Sequence, residues 1–183
     1  MSTTNADIEL LRQLRDPSRR DEGFATLMRR YGRRLYWHLR RIVVDHDDAE
    51  DALQETAIKV LDKLDDFRGD GDLMAWVYSI ATREALQTLR RRTSLFQSID
   101  SLSDDLASKL PAPANDGPDA ALLLQRALLR LPTTQRIAFN MRYYDEMPYE
   151  QIAAVTGKSV GSLKTSYHIA VEKIKEYLKA NAL

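Results

Sequence analysis

From Phe24 onward the large apolar side chains fall at positions 24, 27, 28, 31, 35, 39, 42 and 43. Intervals of three and four lay one apolar face along about 20 residues of α-helix, and they are incompatible with the alternation of a half-buried strand. The pattern returns at 49, 52, 53, 56, 57, 60, 61 and 64, then at Leu73, Trp76, Val77, Ile80, Ala81, Leu86 and Leu89. Asp47 and Asp48 stand where an N-cap and a first-turn acid would satisfy orphan amides at a helix start. No segment sustains period-two alternation, so the expected fold class is all-α.

The chain has 183 residues, 44% of them hydrophobic, enough for one medium domain or two small ones. Between Thr93 and Gly117 the periodicity lapses into DSLSDDL and PAPANDG. That composition predicts a flexible acidic linker (93–117) between two small helical domains, 1–92 and 118–183. Fully extended the linker would reach roughly 80–90 Å. As a coil its span would be about 25–30 Å.

Several chemistries drop out. There is no cysteine, which removes disulfides, thiolate metal sites and cysteine nucleophiles. No GxxxxGK[ST] or GxGxxG is present. No apolar run approaches the roughly 18 residues of a membrane span, so membrane insertion is not expected. MSTTNADIELLRQLRD lacks the basic and apolar regions of a secretory signal, which predicts a cytoplasmic chain. FRGDGD fails as a calcium loop: with Gly71 as the turn glycine, Arg68 and Val77 occupy ligand positions. His46 and Glu50 stand four apart without a clear third ligand, and His38 reads as a solvated helix residue. Arg29, Arg30, Arg33, Arg34, Arg40 and Arg41 form two basic stripes that read as solvated or salt-bridged. No nucleophile, base and orienting acid stand together. The expectation is no enzyme, no cofactor, no metal and no small-molecule substrate.

The richest stretch is YEQIAAVTGKSVGSLKTSYH, residues 149–168. Gly157 supplies a left-handed cap to a short helix, and Ser159 caps a longer one. Ala153 is small where the two helices cross, while Ile152, Val155, Val160 and Leu163 fill the angle between them. Short helix, glycine turn and longer helix is the helix-turn-helix pattern, whose second helix enters the DNA major groove. Its outward positions, Gly161, Ser162, Lys164, Thr165, Ser166 and His168, are small or hydrogen-bonding, and Lys158 and Ser159 precede them. A packing-only αα-hairpin is the bland alternative.

Charge supports the DNA reading once it is divided. The whole chain balances 27 basic against 27 acidic residues. Residues 1–97 are neutral, 98–120 carry one basic and five acidic residues, and 121–183 carry nine and five. The helix-turn-helix segment is thus basic by itself, as phosphate neutralisation requires.

Three strings, DAEDALQETAIKV (48–60), FRGDGDLMAWVYSIATREALQTLRRR (67–92) and LPTTQRIAFNMRYYDEMPYEQIAAVTGKSVGSLKTSYHIAV (131–171), resemble the extracytoplasmic-function sigma factors of the sigma-70 family. The last string resembles the branch typical of Bacteroidetes. The resemblance implies a subunit that binds core RNA polymerase, on its β′ clamp and β subunits, and selects promoter DNA. It places clamp binding on Asp48, Glu50, Asp51, Gln54, Glu55 and Ile58, of which Asp51, Glu55 and Ile58 share a helix face. It places the −10 reader, with a pocket for an unpaired base, on Phe67, Arg68, Gly69, Asp70, Tyr78, Arg83, Gln87, Arg90, Arg91 and Arg92. Trp76 lies on the apolar stripe and reads as core. It places −35 contacts on the helix-turn-helix residues above, and it implies an anti-sigma factor as a further partner. The linker would thread near the nascent-RNA path, its reach exceeding two turns of B-DNA at roughly 34–36 Å each.

Two departures bear on specificity. Arg83 stands where the family commonly has Asn, and Gln87 where it often has Asp. Arginine accepts no hydrogen bond and cannot reproduce the paired contact of asparagine, so a shifted −10 preference is expected. The recognition helix carries Ser166, Ile169 and Val171 where arginines are frequent, which predicts weak binding to DNA alone. The rival readings are a free-standing helix-turn-helix regulator and a protein-only helical adaptor.

Overall fold

The computed structural model describes residues 5–67, 69, 71–94, 106–110 and 120–181. These residues form α1 (Asn5–Arg15), α2 (Arg20–Val43), α3 (His46–Asp62), a 3-10 turn (Leu64–Asp66), α4 (Leu73–Thr93), α5 (Ala120–Leu129), α6 (Thr133–Tyr143), α7 (Tyr149–Thr156) and α8 (Val160–Asn181). No strand occurs among them, so the fold is all-α as the spacing predicts.

The helix boundaries follow from caps. Asp45, not Asp47 or Asp48, caps α3: its Oδ1 accepts from the amides of Asp47 at 3.0 Å and Asp48 at 3.3 Å. Its extended backbone, which the two later residues lack, sets the cap. Asp72 caps α4 in the same way, accepting from Met74 and Ala75 at 2.8 and 3.1 Å. The apolar pattern begins at Phe24, yet the structure adds α1. Leu10, Leu11 and Leu14 of α1 are buried against α2. Gly23 permits that crossing, because a Cβ there would stand 2.8 Å from the Leu14 backbone nitrogen.

Helices α1 to α4 enclose a core that includes Leu14, Leu35, Leu39, Ile42, Val60 and Val77. Each such burial contributes about 1.5–3 kcal/mol. Helices α5, α6 and α8 share a smaller cluster of Ala127, Leu128, Leu131, Phe139, Ala170 and Ile174. Within it, Phe139 stacks on Tyr143 and Tyr167, with ring centroids 5.2 and 5.5 Å apart.

The two modules are packed together rather than merely tethered. Ile137, Met141, Met147, Ile152 and Leu163 belong to the core of the first module, with α2 lying on α6 and α4 on α7. Part of the expected linker is docked as well. Residues 106–108 form a helical turn, Leu106 is buried in the core, and Lys109 pairs with Asp45 at 3.1 Å. Residues 95–105 and 111–119 lie outside the described residues.

Candidate nucleic-acid interface

Three surfaces carry the residues that the sequence singles out. On α3, Glu50, Asp51, Gln54, Glu55 and Ile58 are exposed, Ile58 at 54% although it is a large apolar residue. Burial of α3 through Ala49, Ala52, Thr56 and Val60 turns this acidic, apolar-tipped face outward. Asp48 is half-buried and receives Arg92 Nη1 at 2.6 Å. That pair joins a residue expected to hold polymerase to one expected to hold DNA.

Asp51, Gln54, Glu55 and Ile58 line a cavity of about 460 Å³ together with Gln87 and Arg91 of α4. Lys59 crosses its floor to Glu84 at 2.5 Å. Gln87 and Arg91 therefore face the acidic helix. Arg83 opens on the other side of α4, in a cavity of about 250 Å³ bordered by Thr156, Gly157 and Lys158.

The second surface is the loop before α4 and the helix itself. Arg83, Gln87, Arg90 and Arg91 are exposed. Phe67 and Tyr78 are not: Phe67 packs on Trp76 at 5.3 Å between centroids, and Tyr78 packs on His38 at 4.9 Å. Burial pushes the Tyr78 hydroxyl up to about 12, with the Asp145 carboxylate adding to the shift. Gly69 holds φ +85°, a left-handed turn, and Arg15 of α1 donates to the Phe67 carbonyl. Arg68 and Asp70 lie outside the described residues.

The third surface is the helix-turn-helix. Gly157 closes α7 at φ 70°, and its amide reaches the Ala153 carbonyl at 2.8 Å. The Ser159 hydroxyl accepts from the Ser162 amide at 3.2 Å and starts α8. Ile152, Val155 and Leu163 are buried in the angle, as their spacing predicts. Lys158, Ser159, Gly161, Ser162, Lys164, Thr165 and His168 are exposed, and Ser166 is half-buried. Lys164 leans over the Tyr149 ring at 5.7 Å, so a cation and an aromatic edge flank the small residues. Small and hydrogen-bonding side chains thus lie exposed along the start of α8, as entry into a major groove requires.

His38 corrects a sequence expectation. It is fully buried, not solvated. Its Nδ1 lies 2.8 Å from Asp145 Oδ2 and its Nε2 3.0 Å from Thr82 Oγ1. The signal was present, since position 38 is three after Leu35 and four before Ile42, on the apolar stripe. Arg136 and Asn140, which the sequence does not single out, are buried too, bonded to the carbonyls of Ile42 and Arg41. Burial alone pushes the Arg136 guanidinium down to about 10. His46 meets Glu50 at 3.4 Å and Tyr36 at 2.7 Å. Among the described residues no three His, Cys, Asp or Glu side chains gather as metal ligands, and no helix is long and apolar enough to cross a membrane.

Two helical modules, one a helix-turn-helix of basic net charge and the other carrying an exposed acidic helix, define an all-α class of protein with two separate polar faces. Comparison gives that class its family. Residues 27–95 match the family model described as Sigma-70 region 2, and residues 121–174 match Sigma-70, region 4. The chain belongs to the sigma-70 family.

It is 26% identical to the RNA polymerase sigma-H factor of Pseudomonas aeruginosa, over 98% of this chain and 97% of that one. It is 28% identical to the sigma factor SigE of Mycolicibacterium smegmatis, over 83% of this chain but only 60% of that longer relative. Its fold is similar to that of the sigma factor RpoE solved with the anti-sigma factor NepR from Bartonella quintana. That match has a TM-score of 0.66 and 25% identity, over 86% of this chain and 98% of the other.

Proposed function

We propose that this chain binds core RNA polymerase and directs it to promoters, with no chemistry of its own. The observation that carries the reading is the coexistence, in one small chain, of an exposed helix-turn-helix face and a separate acidic face tipped by the exposed Ile58. The acidic face, Glu50, Asp51, Gln54, Glu55 and Ile58 with Asp48 at its edge, docks on the β′ clamp. Further contacts run to the β subunit. The face of α8 reads the −35 duplex through Lys158, Ser159, Gly161, Ser162, Lys164, Thr165, Ser166 and His168. Lysine contacts to phosphate set register, while the hydroxyls and the histidine reach base edges.

The −10 element is read as unpaired DNA by the loop from Phe67 and by α4. Unstacking a base costs a few kcal/mol, offset by its new contacts. The exposed Arg83, Arg90 and Arg91 hold phosphates there, and Arg83 shifts the base preference away from that of an asparagine. Residues 1–92 form the polymerase and −10 module, 93–117 the connection and 118–183 the −35 module. The site of action is the cytoplasm, on the nucleoid once holoenzyme forms, and an anti-sigma factor holds the chain otherwise.

Promoter-specific run-off transcription by purified chain plus bacterial core polymerase tests the reading. Initiation at defined starts is expected. Sequence-specific binding to a palindrome without polymerase would favour a free-standing regulator, and absence of core binding would end the sigma reading.

A further inference from the structure

A cavity of about 480 Å³ lies where the end of α2 meets α5 and α6, and none of the residues assigned to the three surfaces above lines it. Pockets of that size take small organic molecules. Helix α2 supplies Tyr36, Trp37, Arg40 and Arg41, and α6 supplies Arg136 and Asn140. Val44, Leu128 and Leu129, all buried, give it an apolar wall.

The charges around it are of one sign. Among the described residues that line the cavity are three arginines and no aspartate or glutamate. Arg41 is spent inside the protein: its Nη1 donates to Asp145 Oδ1 at 2.7 Å, and its guanidinium lies 4.6 Å from the centre of the Tyr144 ring. Arg40 and Arg136 have no such carboxylate among the described residues. Arg136 is only 4% exposed, and the hydrogen bond it makes, from Nη2 to the Ile42 carbonyl at 3.2 Å, engages a neutral group. Its Nε is buried without a partner. Asn140 is buried as well, donates to the Arg41 carbonyl at 3.4 Å and leaves its Oδ1 unmet.

Such an arrangement is costly as it stands. Burial pushes the Arg136 guanidinium down only to about 10, so it keeps its charge at neutral pH. A buried cation is unfavourable until an anion meets it. The carbonyl end of α2 offsets part of that cost, and an acid from outside the chain would offset the rest through charge-assisted hydrogen bonds. Val44, a β-branched residue on the cavity wall, holds φ 68°. Left-handed backbone at such a residue persists only where its surroundings enforce it, and it collects at ligand clamps.

Rings complete the lining. Trp37 is 47% exposed although it is large and apolar, and it stands edge-on to Tyr36 with centroids 5.4 Å apart. Aromatic faces and guanidinium planes both stack on flat π-systems. The apolar wall and the rings favour a flat molecule, and the unpaired arginines select one that carries negative charge.

We propose that this cavity binds a small aromatic anion, a flat ring of indole or purine size bearing a carboxylate or a phosphate, with the anion on Arg136 and Arg40 and the ring against Trp37 and the apolar wall. The site is a property of the free chain and needs nothing from the sigma-factor reading.

Isothermal titration calorimetry on the full chain tests it, with indole-3-carboxylate and adenosine 5′-monophosphate as the ring-bearing anions. At least one of them should bind with a Kd below about 1 mM, and indole, adenosine and inorganic phosphate should each bind about tenfold more weakly or less. Which anion binds tells a carboxylate site from a phosphate site. Arg136→Met and Trp37→Ala should each weaken that binding by about tenfold, with helical circular dichroism retained. Should Arg136→Met unfold, Arg40→Met decides in its place, because no internal ion pair is lost with it. No binding of either anion, inorganic phosphate binding as tightly as the ring-bearing anion, or unchanged binding in the folded arginine variant would each overturn the proposal. A short acidic peptide containing tryptophan that binds where neither free anion does would make this a protein-docking face and overturn it too. The titrations use the chain without polymerase or DNA, so failure in run-off transcription would count against the sigma-factor reading alone.

Discussion

Helices α1 to α4 close around a core in which Leu14, Leu35, Leu39 and Ile42 are almost wholly buried. Helices α5 to α8 gather six buried residues of their own and lend Ile137, Met141 and Ile152 to their neighbour. The first module holds most of the large buried side chains. The second stands on an aromatic stack and on its partner. The inequality matches the division of labour proposed above, in which the first module binds polymerase and the second reads duplex DNA.

The sharpest way to break this comparison is to remove one core side chain from each module. Leu39→Ala should cost about 2–5 kcal/mol and be felt by the whole chain in urea unfolding. Phe139→Ala, which empties the centre of the aromatic stack, should cost about 3–5 kcal/mol but leave the amides of α1 to α4 protected in hydrogen exchange. Equal loss of protection in both modules would show a single cooperative unit instead.

Gly157→Ala should come next, at about 1–2 kcal/mol, because φ 70° burdens any residue with a Cβ. Binding to the −35 duplex should weaken while the first module keeps its melting behaviour. Asp72→Ala removes the α4 cap and the contact to Gln151 at 3.2 Å, so about 0.5–2 kcal/mol should be lost. Differential scanning calorimetry would measure it.

Acid offers a finer probe. Burial pushes the Asp45 carboxyl up, but Lys109 and the amides of Asp48 and Asp47 outweigh it and hold the carboxyl below its ordinary value. A depressed carboxyl stabilises the fold above its unfolded value, near pH ~3.9, and that contribution disappears as pH falls through the folded value. Asp45→Asn should therefore flatten the acid limb of the stability curve. Lys164→Ala should hardly change stability, yet it should reduce the salt dependence of −35 binding by about 0.9 in slope, one phosphate's worth.

Much of this architecture is legible in the sequence, and the failures have physical reasons. Periodicity predicts α2, α3 and α4 because their apolar faces run for several turns, and Gly157 with Ser159 marks the helix-turn-helix because its turn requires them. Helix α1 escapes because 11 residues with Leu10, Leu11 and Leu14 make too short a stripe to separate from chance. The docked turn at Leu106 escapes because one buried leucine in a serine-rich, acidic run carries no period. Asp145 and Arg136 escape because their partners, the Arg41 side chain and the Ile42 carbonyl, lie about a hundred residues away, and no local pattern encodes a contact at that separation. Among the expected site residues, the helix-turn-helix and α3 faces emerge exposed. The aromatic rings expected near the −10 strand, Phe67 and Tyr78, emerge inside the core.

Helix α1 reaches beyond its own packing. Asp7 accepts from the Tyr31 hydroxyl at 2.6 Å, and Arg15 holds the Phe67 carbonyl at the head of the loop that leads into α4. Residues 5–15 thus work as a splint on a loop some fifty positions downstream. A tag or reporter fused to this end of the chain acts on the loop before α4 in the same stroke, and a short peptide copying α1 would be a route to steadying that loop from outside.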